Sequence, residues 1–388
     1  MKNALLVLST LVLFNTTAFS QSDLDAEELE QIMAAAQASN SDAIYIVQGD
    51  EVLLEWYSTG SAETIELMSV LKSVVAIGIG RLLELEHIKS LDQPVNEFFP
   101  EWKQGRKEAI TIRHLLNHTS GLQNNPNAGV EIYPSPDVIK LALAAELSSA
   151  PGAEFRYNNK AANLLAGIFE QAAGRRMDEF LNDELFKPMG IGHVQWHYDD
   201  AGNPYAMAGL RLRAPDLAKF GQLILNDGQW NNTPLIDPAF LNEMLDQAQA
   251  YVPSGGLLWW RMSSERRLSI NEAKIRLDTR INQDDLAALI KLSDQDFPSA
   301  DDLRSALLQS LSTGWQQRLS DQQIESFIDV ENGPVVAFYG DGYLGQTILV
   351  MPKHNIVAVR QIKNSDDYNR GTDSFQNFRQ LVNELATN

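Results

Sequence analysis

Apolar and polar positions along the chain change period several times, and each change marks an element. Residues 24–38 place Leu24, Leu29, Ile32 and Met33 on one side of a helical pattern whose other side is acidic, predicting an amphipathic helix. Two short alternating runs follow, 43–47 and 52–56, joined by Gly49-Asp50, and predict a β-hairpin. A long apolar pattern at helical spacing covers about 70–87. From 111 to about 228 the patterns are mostly helical, broken by loops rich in Pro, Gly and Asn. Strand-like runs return at 334–339, 346–351 and 356–361, before a helix near 375–385. A helix–strand–strand start and a strand–strand–strand–helix finish predict an α+β fold: one antiparallel sheet built from both chain ends and flanked by helices, with a mainly helical lobe inserted. Residues 261–332 fit neither half. They are polar, acidic and partly helical, with Ser299-Ala300-Asp301-Asp302 opening a run like a capping box and Leu303, Leu307 and Leu311 at helical spacing. They read as a further insertion.

Composition narrows the function classes. The 388 residues are 44% hydrophobic and 21% charged, enough for a packed core. A net charge of −20 repels phosphate backbones and anionic lipid, so nucleic acid is not an expected partner. The absence of cysteine removes disulfides, thiolate zinc sites and cysteine nucleophiles. Lys2, the apolar run 4–14 and the small residues Ala18 and Ser20 form a secretory leader pattern, with cleavage expected after Ser20. The expected product is periplasmic or secreted. No other stretch approaches membrane-spanning length, so no stable membrane insertion is expected after cleavage.

The candidate chemistry starts at Ser69-Val70-Leu71-Lys72. Ser69 stands at the start of the apolar helical pattern, and Lys72 lies one turn on, on the same face. A serine hydroxyl needs a base within hydrogen-bond reach, and lysine serves only when neutral. Val70, Val74, Val75 and Ile77 surround Lys72 with apolar side chains, and the positive end of the helix dipole disfavours an ammonium. Further on, Tyr157-Asn158-Asn159 precedes a helical run. The Tyr157 phenol can relay a proton, and the Asn159 amide can orient the lysine or a substrate carbonyl.

Other motifs compete less well. Gly340-x-Gly342-x-x-Gly345 has a dinucleotide-like spacing but leads into a strand pattern rather than a helix. His114 and His118 stand four apart without the Glu of a metalloprotease pair, and read as structural. His193 and His197 flank Trp196 in a surface loop. Trp259-Trp260 reads equally as a cleft wall or as a buried core strand.

In the order of these motifs the chain resembles the penicillin-recognising serine hydrolases, in the class C β-lactamase-related branch. The resemblance covers most of 40–260 and 333–388. It includes Ser69–Lys72, Tyr157–Asn159, the run from Thr111 through His114 and His118 to Leu122, Leu185-Phe186-Lys187-Pro188-Met189-Gly190, and Gly209 to Ala218. It implies a β-lactamase/transpeptidase-like fold over 21–388, with an α/β lobe at about 21–110 and 333–388, a helical lobe at about 111–260 and the insertion at about 261–332. It implies Ser69 as acylated nucleophile, Lys72 as its base and Tyr157 as proton shuttle, with no metal or organic cofactor. The family's third motif, Lys-Thr-Gly or His-x-Gly, corresponds to Gly340-Asp341-Gly342, followed by Tyr343. The basic residue is missing, which argues against recognition of a penicillin-type carboxylate. The backbone N–H groups of Ser69 and Tyr343 would form the oxyanion hole.

The expectation is an exported serine hydrolase acting on a small ester or amide. A D-amino-acid carboxypeptidase or β-lactamase would use the same residues, and a non-catalytic binding protein could keep the scaffold. Residues 261–332 could cover the cleft mouth as a lid with a role in selectivity, bind a protein partner, or be a passive surface elaboration.

Overall fold

In the computed structural model of the protein, residues 26–278, 281–298, 300–315, 324 and 326–387 are described. The leader 1–20 with its cleavage after Ser20, Leu24 and the capping position Ser299 lie outside them. The main sheet has six strands: β1 (Ala43–Gln48), β2 (Glu51–Tyr57), β3 (Trp260–Ser263), β4 (Val335–Gly342), β5 (Gln346–Met351) and β6 (Ile356–Gln361). Their order is β2-β1-β6-β5-β4-β3, antiparallel at every pairing. Both chain ends therefore meet in one sheet, with β1 beside β6, as the alternating runs predict. Strand β3 begins at Trp260, where the sequence offers a core strand as one reading; it is instead a half-buried strand of four residues on the outer edge of β4.

The period-2 alternation explains the layers. On one face Ile44, Ile46, Leu349, Met351, Ile356 and Ala358 pack against Ile32 and Ala36 of α1 (Ala26–Ala38), together with Phe378, Val382 and Leu385 of the C-terminal helix. On the other face Val47, Ile348, Val350, Val357 and Val359 join the large core that holds the inserted helices. At its centre lies α2 (Leu71–Glu84), apolar almost all round and buried from Leu71 to Gly80. Gly78 and Gly80 lie inside this helix despite their cost to helicity because neighbours close in: a Cβ at Gly78 would stand 2.4 Å from Leu181, and one at Gly80 2.3 Å from Phe240. The helix that positions Ser69 and Lys72 is thus wedged on several sides.

Beyond β3 and β4 the two chains continue as a ribbon, with Ser264 N–H donating to Pro334 O and Gly333 N–H to Glu265 O, both at 2.9 Å. Among the described residues the ribbon carries a second sheet, Ile328–Asn332, Arg266–Ile270 and Asp296–Phe297, and the helices Glu272–Leu277, Gln283–Leu292 and Ala300–Ser310. These bury an apolar cluster of their own, in which Leu303, Leu307 and Leu311 take part with Leu289 and Trp315.

Candidate active site

Ser69 lies in a short 3-10 turn, Met68–Val70, that runs directly into α2. Met68 enters the turn at φ +48°, a left-handed conformation that is costly for a residue with a Cβ. Leu67 N–H donates to Leu210 O at 2.8 Å and Val70 N–H to Leu67 O at 3.1 Å, so bonds on both sides hold the strained residue.

Lys72 is the second residue of α2 and 3% exposed. Its Nζ hydrogen-bonds Ser69 Oγ at 3.0 Å and donates to Met207 O at 2.7 Å. Burial pushes its pKa below the ordinary lysine value, opposed in part by the Tyr157 phenol. The start of α2 acts in the same direction as burial. A neutral amine beside Ser69 has the lone pair a base requires.

The Met207 carbonyl is placed by a residue that the sequence did not single out. Asn163 is fully buried on α3 (Asn159–Ala173), and its Oδ1 accepts from Ala206 N–H at 3.0 Å and Met207 N–H at 3.1 Å. The available signal was an amide inside an otherwise apolar helical run.

Tyr157 stands at the rim, with its ring centroid 5.1 Å from Lys72 Nζ. Behind it lies His118, 4.5 Å between ring centroids. The two histidines divide. His114 accepts Thr111 N–H at 3.1 Å in a capping box, which is structural. His118 is buried in the cleft wall, and its Nδ1 accepts Asn158 N–H at 3.2 Å. Burial, then the nearby Lys72, hold its pKa down at about 3. Unfolded, it takes a proton near 6.5. Between those values the unfolded chain binds more protons, so stability falls as pH falls, by up to about 1.4 kcal/mol per pH unit. His118→Gln is expected to flatten the pH dependence of the unfolding free energy by about one proton in that window. Urea titrations on both proteins across the window check this, and parallel slopes would mean that folded His118 is protonated.

The third-motif strand lies against the nucleophile's turn. A Cβ at Gly340 would stand 2.6 Å from Ser73 Oγ, and one at Gly342 2.7 Å from Leu67 O. A basic side chain has no room at position 340. Tyr343 opens the turn from β4 to β5 and is 66% exposed. After Gly345 the chain enters strand β5, so this glycine run presents no helix N-terminus. Asn158 rather than Asn159 makes the local bonds: its Oδ1 caps α3 at Ala161 N–H and its Nδ2 donates to Leu122 O. Asn159 is the first residue of α3, its Oδ1 buried without a hydrogen-bond partner, and it is not among the residues lining the cleft.

The cleft above Ser69 has an empty volume of about 730 Å³ and is walled by Tyr157, Trp260, Tyr339, Asp341, Gly342 and Tyr343. The tryptophan pair splits its roles. Trp259 is 1% exposed and its Nε1–H donates to Ser73 O, while Trp260 faces Phe155 across the cleft wall. Among the described residues none of 261–332 lines this cleft, and neither does His193 or His197.

A model of the family described as beta-lactamase matches residues 26–370. A putative penicillin-binding protein, PbpX of Bacillus subtilis, is 27% identical over 141 residues, which cover 36% of this chain and 35% of that protein. The 6-aminohexanoate-dimer hydrolase of Paenarthrobacter ureafaciens is 23% identical over 329 residues, covering 75% of this chain and 82% of that enzyme. The solved structure of a putative beta-lactamase from Bacteroides dorei superposes with a TM-score of 0.66 at 18% identity, over 94% of this chain and all of that one. The last comparison shows a β-lactamase/transpeptidase-like fold. The family match extends over most of the chain, from α1 through the Ser69 turn to β6, and the chain belongs to the β-lactamase family of serine hydrolases.

Proposed function

We propose that the protein is an exported hydrolase of small esters or amides that works through an acyl-enzyme on Ser69. The observation that carries this reading is the 3.0 Å contact between Ser69 Oγ and a buried Lys72 whose pKa burial depresses. Lys72 takes the hydroxyl proton as Oγ bonds to the substrate carbonyl carbon. The N–H groups of Ser69 and Tyr343 take up the oxyanion, each such donor being worth about 3 kcal/mol. As the tetrahedral adduct collapses, the bond to the leaving alcohol or amine breaks, and Tyr157 gives that group its phenolic proton while taking the one held by Lys72, which leaves both neutral for the attack of water. Water, activated by Tyr157 or Lys72, then releases the acid and restores Ser69. The aromatic walls suit apolar acyl or leaving groups, and a Paenarthrobacter relative named for hydrolysis of a 6-aminohexanoate dimer, whose units an amide bond can join, supports including amides. The same residues would serve a D-amino-acid carboxypeptidase or β-lactamase, for which turnover of a chromogenic cephalosporin at ester-like rates would speak.

Intact-mass analysis after exposure to a small p-nitrophenyl alkylphosphonate tests the assignment. One adduct on the parent and none on Ser69→Ala is the expected outcome. A folded parent that takes no adduct would favour the non-catalytic reading and redirect attention to residues 261–332 as a partner surface.

A further inference from the structure

The ion pair Asp341–Arg379 takes no part in the acylation chemistry, yet it stands where the cleft continues. Asp341 is the penultimate residue of β4, and Arg379 lies in the first turn of α4 (Phe378–Thr387). The guanidinium pairs with Asp341 Oδ2 and lies over the Tyr339 ring, with Cζ 4.1 Å from the ring centroid. Thr347 Oγ1 donates to the other carboxylate oxygen at 3.0 Å. Asp341 and Gly342 wall the cleft above Ser69 on one side. They also line a second pocket, of about 510 Å³, together with Arg379. A substrate held at Ser69 and long enough to follow β4 would meet Asp341 before it reached Arg379. The two side chains are 38% and 30% exposed, so the pair is open to a ligand. Lys72 aside, Arg379 is the cation among the described residues lining these pockets. With glycine at position 340, it is the cation that the lining of these pockets offers an anionic substrate at this end of the cleft, while Arg266 acts on Tyr339 from outside that lining.

We propose that Asp341 is a specificity-determining residue, which neutralises Arg379 at the strand edge and so selects uncharged acyl or leaving groups over carboxylate-bearing ones. The inference rests on the assignment of Ser69 as nucleophile. A substrate carboxylate entering this pocket must displace Asp341 from a guanidinium that is already paired, and it then sits beside a like charge. An uncharged group meets neither cost and gains the apolar faces of Tyr339 and Tyr343.

Two phosphonate probes of equal length, one ending in a methyl and the other in a carboxylate, read this directly as rates of adduct formation by intact mass. The parent is expected to favour the methyl probe. In Asp341→Asn, which keeps the shape and removes the charge, the carboxylate-to-methyl rate ratio is expected to rise about tenfold, with the gain shrinking in high salt. The gain is expected to vanish in the double variant Asp341→Asn/Arg379→Gln. Arg379→Gln alone leaves Asp341 uncompensated and should shift preference toward an ammonium-ended probe, which keeps the test open if the first variant does not fold. A folded Asp341→Asn with an unmoved ratio, or a gain that survives loss of Arg379, overturns the role of Asp341. A parent that takes neither probe overturns the Ser69 assignment itself.

Discussion

Lys72→Met is expected to slow adduct formation at Ser69 by about three orders of magnitude while leaving the protein at least as stable as the parent. The first half follows from the contact at 3.0 Å: methionine fills the space of the lysine stem but offers no lone pair to the hydroxyl. The second half follows from linkage. Burial lowers the pKa of Lys72 in the folded state, so below the ordinary lysine value the unfolded chain binds more protons and folding is opposed. A thioether at a site 3% exposed removes that opposition. Lys72→Arg separates charge from basicity, because guanidinium keeps its proton at any working pH. It is expected to be inactive and less stable than the parent. The parent's rate should rise with pH through the depressed lysine pKa and so be substantial below the ordinary lysine range. Adduct rates and urea midpoints for the three proteins decide the matter. Retention of activity in Lys72→Met would transfer the base role to another group, with Tyr157 the first to examine.

Such a substitution could be chosen from the sequence because the patterns near Ser69 are strong and local. The apolar run after Ser69 fixes the helix, and the three-residue step to Lys72 fixes their common face. Strands β5 and β6 were legible for the same reason: their apolar runs are long and end at turn residues. Strand β3 was legible only as one of two readings of Trp259-Trp260, since four residues that begin at Trp260 show no period, and the edge of β4 makes them a strand. His118 and Asn163 mark another boundary. A lone histidine or asparagine in an apolar pattern looks like any satisfied core residue, and whether it backs Tyr157 or fixes the Met207 carbonyl depends on chain segments far apart in sequence. The pairing of Asp341 with Arg379 is equally non-local, joining β4 to α4 across residues 343–377.

Arg360 shows how much such non-local bonding can hold, and Arg360→Met is expected to cost at least about 3 kcal/mol of stability together with a ten- to hundredfold loss in acylation, on the order expected for a disturbed oxyanion donor. In the sequence it is a single cation inside the apolar run 356–361. In the fold it is fully buried on β6, where burial lowers its pKa to about 10, still protonated at neutral pH. Its Nε donates to Ser41 Oγ at 2.9 Å and its Nη2 to Ser39 O at 3.2 Å, holding the end of α1. Nη2 also donates to Asp373 O at 2.5 Å and Nη1 to Leu344 O at 2.7 Å. Methionine would leave these acceptors buried and unpaired. Leu344 carries the link to catalysis. It stands at φ +70° in the turn Tyr343–Gly345, a conformation that persists only when its surroundings impose it. Release of its carbonyl frees the turn and with it the Tyr343 N–H proposed for the oxyanion. Arg360→Lys keeps the charge but not the planar fork of donors, and should fall between parent and methionine variant in both properties. Urea unfolding measures the first effect. Adduct rates at a temperature where every variant is folded measure the second. Lost stability with an unchanged adduct rate would reduce Arg360 to a core brace, and would place the imposed geometry of Leu344 in its own packing, 2% exposed between strand and helix, rather than in the bond to its carbonyl.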